Sequence, residues 1–164
     1  TITRRMFPLS DKREDTFIGG LSMGGFGAMR NGLRYADTFG QIVSLSPALH
    51  LFEGDGAQVC GLLGRDPADW ADIQNSDVNP RWLVEHFQGE KPGIYLACGR
   101  QDDLFASSEA FHEVLTRAGF EHHYVADEGK HDWDYWDHHI RLALDWLPLD
   151  ERVGGLNSGN IKGE

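Results

Sequence analysis

Residues 17–29 read Phe-Ile-Gly-Gly-Leu-Ser-Met-Gly-Gly-Phe-Gly-Ala-Met, and few folds accept such a run. Gly20-Leu21-Ser22-Met23-Gly24 is a G-x-S-x-G pattern, which belongs on a sharp turn between a strand and a helix. The backbone at the serine is strained there, so residues two before and two after it must be small. The turn lifts the Ser22 hydroxyl off the sheet. It also leaves the Met23 N–H at a helix start, where it can donate to an oxyanion. The flanks fit this reading, with a β-type run at Thr16–Ile18 before the turn and a helical pattern over Gly24–Tyr35 after it. A glycine-rich turn without chemistry is the bland alternative.

The rest of the chain alternates strand and helix patterns. Further strands are predicted at Gln41–Ser46, Gly93–Cys98 and His122–Ala126, after a first at Thr16–Gly20. The two middle ones are short apolar runs of the kind buried in parallel sheets. Helices are predicted at Ser107–Ala118, with Ser107 or Ser108 as N-cap and Gly119 as stop, and at Asp132–Trp146. A βαβ series of this kind predicts an α/β fold with a parallel sheet. Residues 48–91 interrupt the rhythm with scattered Gly, Asp and Pro and helical pieces at Pro67–Asp72 and Pro80–Phe87. The stretch is too long for a simple connection. It reads as a lid-like insertion over the sheet, within a domain over residues 1–149 followed by a polar tail at 150–164.

Composition narrows the partners. With 164 residues and a net charge of −11, the chain is suited to one domain and not to nucleic acid or an anionic membrane surface. The two cysteines, Cys60 and Cys98, do not form a secretory disulfide framework, and Cys98 ends an apolar strand as a buried thiol would. With no signal-peptide pattern and no bilayer-length apolar run, the expected setting is cytoplasmic.

A serine nucleophile needs a base, and the base an orienting carboxylate. The loop after the third predicted strand holds Asp102 and Asp103, and the loop after the fourth holds His131. Both lie at the carboxyl end of the sheet, where such folds build their sites, and the order serine, acid, histidine is that of a hydrolase triad. His112, His122, His123, His138 and His139 fall within helix or strand patterns and read as packed or solvent-facing. His138 and His139, with Asp134 or Asp137, lack the spacing of a metal site, so no metal is expected. Trp133 and Trp136, close to His131, are candidates for the wall of a substrate pocket.

Gly20–Ala28 resembles the nucleophile turn of the esterase D group of α/β-hydrolases, in its tributyrin-esterase-like and S-formylglutathione-hydrolase-like branch. Phe7-Pro8-Leu9-Ser10 with Arg13-Glu14-Asp15, Ser44-Leu45-Ser46-Pro47-Ala48, Cys98-Gly99-Arg100-Gln101-Asp102-Asp103-Leu104 and Gly129-Lys130-His131-Asp132-Trp133-Asp134-Tyr135-Trp136 resemble successive motifs of that branch. The resemblance covers about residues 5–147. It implies an α/β-hydrolase fold, Asp102 as the acid, and a serine carboxylic-ester hydrolase acting on short-chain acyl esters or thioesters without a cofactor. Asp103 stands where the family usually has an aromatic or apolar residue. The family carries further strands and a second oxyanion donor ahead of the nucleophile. This chain therefore reads as the C-terminal portion of the fold, partnered by an upstream half or by a second copy. An acyltransferase on the same fold, or a non-catalytic association module, are the other readings.

Overall fold

A computed structural model describes Met6 and residues 9–149. The lead-in residues Phe7 and Pro8 and the tail at 150–164 lie outside the described residues. Four strands, β1 (Phe17–Leu21), β2 (Gln41–Leu45), β3 (Gly93–Ala97) and β4 (His122–Val125), form one sheet. They lie side by side in chain order, every pair parallel. All four carboxyl ends therefore share one rim.

Parallel neighbours need crossovers, and helices supply them. The long helices are α1 (Met23–Arg34), α5 (Phe105–Arg117) and α6 (Trp133–Trp146). Strand alternation sorts the core into two layers. Ile42, Ile94 and Leu96 face α1 and α5 and pack with Met29, Leu33, Phe111 and Leu115. Val43, Leu45, Tyr95 and Ala97 face α6 and pack with Tyr135, Trp136 and Ala143. Each fully buried aliphatic or aromatic side chain of this kind is worth roughly 1.5–3 kcal/mol over its exposed state.

The strands and helices fall within a residue or two of their predicted positions, with one correction. Helix α5 starts at Phe105, so neither Ser107 nor Ser108 is its N-cap. Asp102 opens the turn instead, its Oδ1 accepting from the Leu104 N–H at 2.9 Å. The Ser107 hydroxyl points back and donates to the Leu104 carbonyl at 2.9 Å. The 48–91 stretch holds α2 (Ala57–Leu63), α3 (Trp70–Gln74) and α4 (Pro80–Glu85), with 3-10 turns at Leu49–Phe52 and Pro67–Asp69. The sequence pattern did not predict α2, which lies between Gly56 and Gly64. Leu51, Phe52, Val59, Cys60 and Ile73 form its own small core, against which Phe26 and Leu104 pack. Arg30 and Arg34 of α1 grip Asp77, and the Arg34 hydrogen bond holds the Asp77 carboxyl below its usual range.

Both cysteines are free and buried, and burial pushes the Cys98 thiol up to about 12. No helix among the described residues is long and apolar enough to cross a membrane.

His139 is wholly buried on the inner face of α6. Its Nε2 lies 3.3 Å from Asp127 Oδ1 and its Nδ1 lies 3.3 Å from the Tyr95 hydroxyl. Burial lowers its pKa, aided by His138 and opposed by the Asp127 carboxylate. The folded state thus keeps His139 neutral, while the unfolded chain protonates it near its ordinary value of about 6.5. Its contribution to stability is present above that pH and is lost as the pH falls below it. The melting temperature is expected to drop as the pH is lowered from 7 through about 6. In His139→Gln the acid-side slope, followed by circular dichroism, flattens. An unchanged slope would contradict this role.

Candidate active site

The turn at Ser22 is built by close backbone approach. Ser22 has φ 54° and ψ −121°, a conformation rarely held without support from the surroundings. Its N–H donates to the Leu45 carbonyl at 2.9 Å, and its carbonyl accepts from Phe26 at 3.0 Å and Ala48 at 3.1 Å. The end of β2 therefore pins the turn from beneath. The small-residue requirement falls differently from the symmetrical expectation. A Cβ on Gly20 would strike the Gly24 carbonyl, and one on Gly25 would come within 2.8 Å of the Leu45 carbonyl. A Cβ on Gly24 would meet nothing within 4 Å among the described residues. The Ser44 hydroxyl also donates to the Gly25 carbonyl at 2.9 Å, which leaves Gly25 no room to withdraw.

Three loops on the carboxyl rim bring Ser22, His131 and Asp102 together. His131 Nε2 lies 2.8 Å from Ser22 Oγ, and Nδ1 lies 2.9 Å from Asp102 Oδ2. The Asp102 side chain is fully buried and that of His131 about one-third exposed (0% and 35%). With Asp102 ionised, Nδ1 carries the proton and Nε2 is free to accept from the serine. Asp103 is exposed on the cleft wall and makes no bond to His131. Two backbone bonds hold the acid and histidine loops parallel, Arg100 N–H to the Asp127 carbonyl at 2.8 Å and Gln101 N–H to the Gly129 carbonyl at 3.0 Å. The Gln101 side chain returns the contact by accepting from the Gly129 N–H at 2.6 Å. Asp132 caps α6 through the Tyr135 N–H at 3.0 Å, which fixes where the histidine loop ends.

Met23 opens α1, so its N–H is among the donors that the first turn leaves without an intrahelical partner. A cleft of about 320 Å³ beside Ser22 is lined by Met23, Ala48, His50, Leu51, Gln58, Asp103 and Leu104. Four of these, from Ala48 to Gln58, come from the 48–91 stretch. Sequence reasoning missed His50 and Gln58, because polar residues on a 3-10 turn and on a two-turn helix carry no periodic signal. On the other side, Gly19, Leu21, Val43, Leu45, Trp133, Trp136 and Ile140 line an apolar groove of about 390 Å³. Trp133 is 72% exposed and Trp136 only 8%. Among the described residues no three His, Cys, Asp or Glu side chains are grouped to hold a metal ion.

Residues 3–147 match a family model described as "Putative esterase", and the chain belongs to this esterase family. It is 40% identical over 156 residues to an acetyl esterase of Caldicellulosiruptor saccharolyticus, covering 88% of this chain and 59% of that protein. The crystal structure of an S-formylglutathione hydrolase from Staphylococcus aureus superposes with a TM-score of 0.72 at 29% identity, covering 89% of this chain and 59% of that one. A fluorophosphonate-binding serine hydrolase of the same organism, solved with substrate bound, gives 0.71 at 30% identity with the same coverage. The fold is that of the α/β-hydrolases. The chain spans about three-fifths of the length of these relatives (59%).

The packing at the turn separates the glycines. Gly25→Ala and Gly20→Ala are expected to destabilise by about 2 kcal/mol or more, because backbone on both sides must shift. Gly24→Ala is expected to stay within about 0.5 kcal/mol of the parent. Urea denaturation of the three variants checks the order, and a Gly24 variant as unstable as the Gly25 one would contradict it.

Proposed function

We propose that the protein carrying this chain is a serine carboxylic-ester hydrolase. The observation that carries the reading is the unbroken hydrogen-bonded line from Ser22 through His131 to buried Asp102. Ser22 Oγ attacks the acyl carbonyl as His131 Nε2 takes its proton. Asp102 holds the imidazole tautomer and stabilises the imidazolium. The Met23 N–H donates to the oxyanion. His131 then returns the proton to the leaving alcohol or thiol, and water, activated by the same imidazole, releases the acid. Every step uses groups of the chain and water, so no cofactor is called for.

The small cleft beside Ser22 and the acetyl esterase relative both support short-chain acyl esters as substrates. The esterase family match and the acetyl esterase relative favour hydrolysis over acyl transfer. Trp133, exposed beside the site, is proposed to wall the substrate. The two buried free thiols are consistent with a cytoplasmic setting.

The test is steady-state hydrolysis of 4-nitrophenyl acetate by the native gene product. Ser22→Ala is expected to lose on the order of a million-fold in kcat. Asp102→Asn is expected to lose about ten-thousand-fold by favouring the wrong tautomer, and Asp103→Asn far less. Retained activity in the serine variant, or reversal of the two aspartate effects, would contradict the reading.

We also propose that a further part of the same fold lies along β1. Among the described strands β2 alone is the neighbour of β1, and the edge of a parallel sheet is an association surface. The length of the relatives beyond the matched portion supports this occupant. Intact mass and light scattering on the native product are expected to give either a longer chain or an assembly that covers the edge. A stable, fully active monomer of these residues alone would overturn the proposal.

A further inference from the structure

We propose that Trp136 is a positioning residue for the imidazole of His131, held in place by the buried hydroxyl of Ser46. The inference rests on the reading of Ser22 and His131 as the reacting groups. Two hydrogen bonds reach His131, one at each ring nitrogen. They fix where the ring sits along the line from acid to serine but resist its rotation about that line only weakly. A wall against the ring must supply the rest. Trp136 is that wall, with ring centroids 4.9 Å apart and the planes at 88°, an edge-to-face arrangement favoured by aromatic quadrupoles.

An indole can hold a neighbour only if it is itself fixed. Trp136 is 8% exposed, and its Nε1–H donates to Ser46 Oγ at 3.2 Å. Trp133 packs against it in an edge-to-face pair, with centroids 5.3 Å apart and the planes at 86°. Ser46 is fully buried and has φ 41°, in the left-handed region that a non-glycine residue seldom occupies. Its N–H is held by the Ala97 carbonyl at 2.7 Å. Glycine would relieve that backbone but would leave the buried indole N–H without its acceptor. The hydroxyl at 46 accepts from the indole and also faces the buried Cys98 thiol.

The corner after β2 consequently serves both ends of the reacting pair. Leu45 and Ala48 hold the Ser22 backbone, and Ser46, between them, holds the indole that orients His131. Nucleophile and base are referenced to the same four residues of chain.

The experiment is a double-mutant cycle in the native gene product, with kcat and KM measured on 4-nitrophenyl acetate and folding followed by circular dichroism. Trp136→Phe keeps an aromatic ring but removes the donor, and Ser46→Ala removes the acceptor. Each is expected to lower kcat by about ten- to a hundredfold, the scale of a small misplacement of a reacting group, with KM unchanged. The double variant is expected to lose no more than the worse single variant, because both break one bond. A change confined to KM would make Trp136 a substrate wall and overturn the proposal. So would losses that multiply, or kcat at the parent level. If Ser46→Ala does not fold, the kcat and KM of Trp136→Phe decide alone by the same criterion. A parent protein that hydrolyses no ester overturns the functional reading itself, whereas an active parent with unaffected variants overturns only this inference.

Discussion

One imidazole joins the parts of the rim. His131 reaches across 109 residues of sequence to Ser22 and across 29 to Asp102. Neither bond would form if β1, β3 and β4 did not end on the same side of the sheet, and chain-ordered parallel pairing guarantees that they do. Asp102 is fully buried, so its charge is stabilised by the imidazole Nδ1–H and the Leu104 N–H in place of water. A charge-assisted bond of this kind is roughly twice as strong as a neutral one. It also selects the tautomer that leaves Nε2 facing the serine.

The scaffold around that line is mostly backbone. The acid and histidine loops are zipped by main-chain bonds between 98–101 and 125–129, and the serine turn is tied to the end of β2. One exposed side chain, Gln101, adds its own bond to the Gly129 N–H between the two loops. Strain is concentrated at Ser22 and Ser46, the two non-glycine residues with positive φ among those described. They lie on neighbouring strand ends joined through the Leu45 carbonyl. Strain of this kind survives only where the surroundings over-determine the backbone, and the two layers of core beneath the rim supply that rigidity.

Much of this was legible in the sequence for physical reasons. Buried parallel strands such as Ile94–Ala97 are continuous apolar runs, and the turn residues after them fall where loops must lie. The turn at Ser22 betrays itself through Gly20, which has no side-chain alternative, although Gly25 rather than Gly24 carries the tight contact at β2. The choice between Asp102 and Asp103 needed either the family resemblance or coordinates, because adjacent residues on a loop point in unrelated directions. His50, Gln58 and the Ser46–Trp136 bond were out of reach of pattern. They bring a 3-10 turn, a short helix, a strand corner and α6 together across long stretches of chain, and no periodicity encodes that. Helix α5 began earlier than its serines indicated because Asp102 had already turned the chain.

The central claim is that Ser22 is activated by His131, and covalent trapping measures it most directly. A fluorophosphonate reacts rapidly only with a base-activated hydroxyl. After brief exposure of the native protein, mass spectrometry of its peptides should find the adduct on Ser22 alone, and His131→Ala should abolish the labelling while the fold persists. An adduct on Ser46 or another serine, or labelling of Ser22 undiminished without His131, would contradict the account.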